Sequence, residues 1–247
     1  PDILNDADYE RFRKIIYDES GITFSPTNRP ILDSRIKEQL REKGLTSVDA
    51  YYRLITSDRE ELKKMLDSVT TNLTRFFRNQ PHFDALINYV FPHLLEEKKQ
   101  TGSRTINIWS AGCSTGEEPY TIAMIAKKVL PPGFTCHVTA SDISLKSLMV
   151  GQQGFYGENR IEGVPPDYLS RFFTKSDRGY QINKEIMDSV KFDYHNLQHD
   201  SGMRNLDVIF CRNVMIYFDE QAQILGFNGK TFLSVYRSFG ISVRYEY

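Results

Sequence analysis

The run Ile106–Trp109 passes straight into Ser110-Ala-Gly-Cys-Ser-Thr-Gly-Glu-Glu-Pro-Tyr120. An apolar strand, a loop of glycine and other small residues, and a helix start form the device by which many folds hold a nucleotide at a helix N-terminus. The alternation continues downstream: a helix to Val129, strand-like Cys136–Ala140, a helix from Ser144, and strand-like Leu206–Cys211. Strands separated by helices predict a mostly parallel, doubly wound α/β sheet of the Rossmann-like kind. Within it, residues 152–192 hold glycine, proline and the short turn Ser176-Asp-Arg-Gly179 between apolar flanks. That stretch predicts a small antiparallel hairpin subdomain inserted into the sheet domain.

The first hundred residues carry a different period. Tyr9, Phe12, Ile15 and Ile16 recur at helical spacing from Asp6 to Ser20, and Gly21 is the stop. A second helix is predicted over Pro30–Lys43, with Ile31, Leu32, Ile36 and Leu40 on one face and Gly44 at its end. Its other face carries Arg35, Lys37, Arg41 and Lys43, with Arg29 just before it. Further helices are predicted over Ser47–Thr56, Arg59–Ser68 and Pro81–Gln100. The expected organisation is an all-α N-terminal domain with a linker helix over 1–80, then the sheet domain over 81–247.

Composition narrows the partners. With 40% hydrophobic and 26% charged residues in 247, the chain has the makeup of a globular protein with a sizeable core. A formal net charge of −1 offers no bulk attraction for nucleic acid or an anionic membrane, and neither is an expected partner. No apolar run approaches the roughly 18 residues of a membrane span, and no basic-then-apolar start suggests a secretory signal. Cys113, Cys136 and Cys211 are far apart with no CxxC, which predicts reduced thiols and a cytoplasmic setting. His195 and His199 have helical metal-ligand spacing but no thiolate or carboxylate partner, so no metal is expected.

The loop does not suit a pyrophosphate. Aligned on Gly116, it reads Ala111-Gly-Cys-Ser-Thr-Gly116, so only the last glycine of a G-x-G-x-x-G fingerprint is in place. No Lys-Ser/Thr follows, which excludes a Walker A phosphate loop. Glu117 and Glu118 stand where phosphate would sit, and two carboxylates there repel it while suiting a ligand with cationic groups. S-adenosylmethionine has both a sulfonium and an ammonium. Asp142, ending Val138-Thr-Ala-Ser-Asp142, can accept from both ribose hydroxyls, a geometry that nicotinamide and S-adenosylmethionine sites share. At the end of Asp207-Val-Ile-Phe-Cys-Arg-Asn213, Arg212 and Asn213 would face the same pocket, and Asn196-Leu197 would bracket an adenine.

Thr70-Thr-Asn-Leu-Thr-Arg-Phe-Phe-Arg78, Trp109–Tyr120, Ala140-Ser-Asp-Ile143 and Asp207–Asp219 (DVIFCRNVMIYFD) together resemble the CheR-type methyltransferases of bacterial chemotaxis. The resemblance covers residues 5–219 in the same order. It implies methyl transfer from S-adenosylmethionine to glutamate side chains on the cytoplasmic helices of chemoreceptors, leaving S-adenosylhomocysteine. Carried over, the family's cofactor contacts fall on Asn72, Thr74, Arg78, Glu117, Asp142, Asn196, Leu197, Arg212 and Asn213, with Arg78 and Tyr217 beside the transferred methyl group. The basic helix, with Arg29, Arg35, Lys37, Arg41 and Lys43, is implied to contact the receptor. In some members the inserted hairpin docks a receptor peptide; the short turn here carries no such expectation.

After Asp219 the family continues into a Pro-Gly-Gly-type turn and a Gly-His-Ser-Glu segment. Residues 220–247 read EQAQILGFNGKTFLSVYRSFGISVRYEY instead, an atypical C-terminus in which Thr231–Arg237 and Ile241–Tyr247 are expected as paired strands. That departure gives a second reading, a cofactor- or receptor-binding module without turnover.

Overall fold

The computed structural model describes residues 3–24, 26–70 and 74–211, with the backbone of 232–234 and 242–243. Local capping signals delimit the N-terminal helices. In α1 (Asp6–Ser20) the Asn5 side chain accepts the Asp8 N–H, and the helix ends at Gly21 in left-handed backbone, φ 73°. α2 (Arg29–Glu42) carries Pro30 in its first turn, where the missing N–H has no helical partner to lose. α3 (Val48–Ser57) starts where Ser47 accepts the Ala50 N–H, and α4 (Arg59–Val69) where Asp58 accepts those of Glu60 and Glu61. Their apolar faces close on a core of Phe12, Ile16, Leu32, Ile36, Tyr51, Ile55 and Met65.

α5 (Gln80–Ala85) runs through one π turn, Leu86–Val90, into α6 (Phe91–Thr101). The Phe91 N–H reaches the Leu86 carbonyl, five residues back. Pro92 supplies the cause: it has no N–H to give, and its ring crowds the carbonyl four residues before it.

The sheet domain follows in chain order. β1 (Thr105–Ala111), α7 (Glu117–Val129), β2 (Thr135–Asp142) and α8 (Leu145–Gln153) make the first wound half. An inserted subdomain then holds β3 (Phe155–Tyr156), α9 (Pro166–Phe172), β4 (Phe173–Ser176), β5 (Gly179–Ile182) and α10 (Lys184–Met187). Its strands form an antiparallel sheet, order β3-β5-β4, so the predicted hairpin β4–β5 gains a third strand. β6 (Val190–Tyr194) and β7 (Val208–Cys211) return to the main sheet, which is parallel in the order β6-β2-β1-β7.

β6 begins within the last three residues of the range expected for the insertion and pairs with β2 in the main sheet. Its residues alternate buried Val190 with exposed Lys191 and Asp193, the mark of an edge strand rather than the apolar run of a central one. At the other edge, β8 (Phe232–Ser234) pairs parallel with β7, and β9 (Ser242–Val243) pairs antiparallel with β8. The expected C-terminal strand pair is present there. Ile106, Ile108, Val138, Ala140, Val208 and Phe210 pack with Ile122, Met124 and Ile125 of α7 into the second core.

Candidate active site

β1 and β2 end level, Ala111 opposite Ser141, and the glycine loop folds over that carboxyl end of the sheet. The Gly112 and Cys113 N–H groups both reach the Ser141 carbonyl, at 2.8 and 2.9 Å. Ser114 and Gly116 adopt left-handed backbone, φ 49° and 95°, which turns the Ser114 N–H onto Asp142 Oδ2 at 2.7 Å. The Ser144 N–H donates to the other oxygen at 2.9 Å. Burial pushes the Asp142 carboxyl up, the Ser144 and Ser114 bonds pull it back, and the charge of Asp67 adds to the rise. Each oxygen retains acceptor capacity for a ribose hydroxyl.

The two glutamates have different partners. Glu117, the expected ligand contact, is 0% exposed. Its Oε1 takes the Arg160 guanidinium, and its Oε2 the Thr115 hydroxyl at 2.7 Å. Its carboxylate is therefore held by an internal ion pair at the start of α7, directly beneath the glycine loop. Glu118, one residue on, is half-buried and accepts from Ser110 Oγ of β1 at 2.8 Å. Its charge also helps hold up the thiol of Cys211, at the tip of β7, where burial is the larger cause. Both acids thus stand at the strand ends where ligands of open α/β sheets lie.

Thr74 and Arg78 are half-buried and flank two buried phenylalanines. Phe76 packs edge-on to Tyr156 and Phe173, and Phe77 to Phe83 and Tyr168, so neighbouring rings anchor in different walls. That requirement holds Phe77 at φ 53°, a strained value for a bulky residue. The Phe77 N–H donates to Thr121 Oγ1 of α7 at 3.2 Å, which ties this segment to the helix that carries both glutamates.

Beyond β6, the His195 N–H donates to the Asp142 carbonyl at 3.0 Å, bringing the next two residues beside the acid. Leu197 packs with Trp109, Ile209 and Cys211. The Asn196 amide is bonded at both ends: Nδ2 donates to the Glu19 carbonyl at 2.7 Å, and Oδ1 accepts the Gln198 N–H at 3.0 Å. Its side chain ties the sheet to α1 and fixes the backbone of the Asn196-Leu197 segment beside Asp142. Asn72, Arg212, Asn213 and Tyr217 lie outside the described residues.

The basic set on the first domain also divides. Arg29 is held by Asp6 and the Leu4 carbonyl and lies over the Tyr9 ring, and Lys43 pairs with Glu61. Arg35, Lys37 and Arg41 are exposed, Arg35 with Glu38 as an ion partner. Among the described residues no cluster of His, Cys, Asp or Glu could hold a metal ion, and no helix is long and apolar enough to cross a membrane.

Known proteins match both halves of the chain. Residues 7–70 match the all-alpha domain of CheR methyltransferases, and residues 72–228 match their S-adenosylmethionine-binding domain. The chemotaxis protein methyltransferase of Borreliella burgdorferi is 35% identical over 221 residues, spanning 86% of this chain and 78% of the relative. That of Escherichia coli is 34% identical over 230 residues, 89% of this chain and 77% of the relative. Chemotaxis protein methyltransferase 2 of Pseudomonas aeruginosa is 34% identical over 226 residues, 87% and 78% respectively.

The residues present fit S-adenosylmethionine. The acids Asp142 and Glu118 are acceptors for hydroxyl and ammonium groups, no lysine or arginine stands in the loop sequence to meet a pyrophosphate, and the buried Ser114 hydroxyl has no hydrogen-bond partner among the described residues. The chain belongs to the CheR methyltransferase family, the methyltransferases of chemotaxis, and S-adenosylmethionine is its cofactor.

Proposed function

We propose that this chain methylates glutamate side-chain carboxylates of chemoreceptors, as a protein-glutamate O-methyltransferase acting in the cytoplasm. The observation that carries the reading is the pairing of Asp142, fixed by the Ser114 and Ser144 N–H groups, with Glu118 at the same end of the sheet. In this reading Asp142 holds the ribose hydroxyls, Glu117 with Glu118 beside it provides the negative charge for the ammonium, and Asn196 and Leu197 bracket the base. Thr74 and Arg78 approach from the segment stapled to α7, and Asn72, Arg212, Asn213 and Tyr217, outside the described residues, are assigned to the same site.

When bound, S-adenosylmethionine supplies a methyl group on a sulfonium, an electrophile that needs no further activation. A glutamate carboxylate is ionised at neutral pH, so the protein needs no general base. Its task is alignment of an in-line displacement and exclusion of water, and held geometry can supply on the order of 7 kcal/mol or more. Arg78 positions a carboxylate, and the Tyr217 phenol helps place the methyl group. Arg35, Lys37 and Arg41 form the receptor-facing set, attracting an acidic helix mainly by raising the encounter rate.

The test is calorimetric titration with S-adenosylhomocysteine, with NAD as control, followed by transfer of labelled methyl to a receptor cytoplasmic fragment. One-site binding that NAD does not compete for, and base-labile label on the receptor, are the expected results. Binding without label would establish the module without turnover instead. Charge reversal at Arg35 and Arg41 should reduce receptor methylation at low salt and leave homocysteine-ligand binding intact.

A further inference from the structure

The inserted subdomain reaches into the glycine loop from behind. Arg160 lies in the turn between β3 and α9. Its Nε donates to Glu117 Oε1 at 3.0 Å, and its Nη2 donates both to that oxygen and to Thr115 Oγ1, the latter at 2.5 Å. The Thr115 hydroxyl donates in turn to Glu117 Oε2 at 2.7 Å. From β3, the Tyr156 hydroxyl donates to the Thr115 carbonyl at 2.7 Å. Thr115 is thus gripped at its hydroxyl and its carbonyl by the insertion.

Thr115 stands between Ser114 and Gly116, the two left-handed residues that aim the Ser114 N–H at Asp142. A non-glycine residue in left-handed backbone persists when its surroundings over-determine it. Here those surroundings come from outside the sheet. An ion pair serving stability alone would need only Glu117, yet the guanidinium fork spans Glu117 and Thr115 together, a two-point hold that a single ammonium cannot reproduce.

We propose that Arg160 is a positioning residue for the cofactor loop, so that the inserted subdomain is a working part of the S-adenosylmethionine site. It touches no reacting atom; it acts through Thr115 on Ser114, and through Ser114 on Asp142. This rests on the reading of the loop and Asp142 as the cofactor's seat.

The experiment is titration of the full chain with S-adenosylhomocysteine in wild type, Arg160→Lys and Arg160→Gln. Each variant keeps a donor for Glu117 and leaves that residue itself unchanged, while giving up the guanidinium's two-point hold. Both variants should unfold cooperatively and bind with one-site stoichiometry, but with affinity weakened roughly tenfold, about the worth of one charge-assisted hydrogen bond. In turnover assays the KM for S-adenosylmethionine should rise in step. A purely structural role would lower the fraction of protein that binds and leave the affinity of that fraction unchanged. Wild-type affinity in either folded variant overturns the proposal. Failure of the wild type to bind would overturn the methyltransferase reading itself, a distinguishable result.

Discussion

Asp142 joins backbone geometry to ligand chemistry in a single side chain. It draws the glycine loop in through Ser114 and opens α8 through Ser144, and it is nearly buried while doing so. Its folded pKa is raised above the ordinary 3.8, with desolvation the largest cause. Between those values the folded chain holds a proton that the unfolded chain has lost, so this group lowers stability as pH rises through the window. Ligand affinity runs the other way, because ribose hydroxyls need the ionised acceptor. S-adenosylhomocysteine affinity should therefore fall as pH is lowered into that window, and Asp142→Asn should flatten the profile at a weaker affinity throughout. Calorimetry at stepped pH checks both, and a profile identical in the two proteins would assign the titration elsewhere. Arg78 is a separate case, argued on alignment: Arg78→Ala should cut turnover by roughly tenfold or more while thermal unfolding stays unchanged. Full turnover in that variant, measured with labelled cofactor, would remove it from the site.

The strand–loop–helix unit from β1 to α7 depends on how closely its loop can lie against α8 and β6. At Gly116, φ is 95°, and an added Cβ would stand 2.9 Å from Phe192 Cζ and 3.1 Å from the Gly151 Cα. One neighbour is backbone and cannot swing away. Gly116→Ala should therefore destabilise the chain by about 1–3 kcal/mol, read as a lower urea midpoint at unchanged slope. This is also where the sequence was most legible. The apolar runs of β1, β2 and β7 and the stop at Gly21 each carry a local signal that the structure follows. Legibility fails where the cause is distant. β6 is an edge strand whose pattern is half polar, and the π turn comes from one proline acting on the carbonyl four residues before it. The ion partner of Glu117 is Arg160, 43 residues along the chain, and no spacing rule announces that partner.

The two cores meet at the carboxyl end of the sheet, beside Asp142. Asn196 and Gln198 donate to the Glu19 and Tyr17 carbonyls at the end of α1, at 2.7 and 3.3 Å. Lys63 of α4 lies over the Tyr194 ring, Ile143 packs on the helical core, and Asp67 faces the start of α8, where Ser144 and the Lys146 N–H offset part of its burial cost. Every one of these contacts falls within a few residues of a position assigned to the nucleoside. Ordering that end of the sheet by ligand should therefore also hold the helical domain in place. Trp109 is the single tryptophan and lies in β1, so its fluorescence reports the sheet domain, whereas far-ultraviolet circular dichroism weighs the helices of both. In the wild type the two thermal transitions should coincide and rise together with S-adenosylhomocysteine, by about 2.7 kcal/mol at roughly a hundredfold excess over Kd. Removing both amides in Asn196→Ala/Gln198→Ala takes away two hydrogen bonds across the boundary, about 1 kcal/mol each, together with the local bond from the Gln198 N–H to Asn196 Oδ1. The dichroism transition should then fall below the fluorescence transition, and ligand should raise the second more than the first. Transitions that still coincide and shift equally in the double variant would mean that the domains are coupled by apolar packing at Ile143, and the amides would have no part in it.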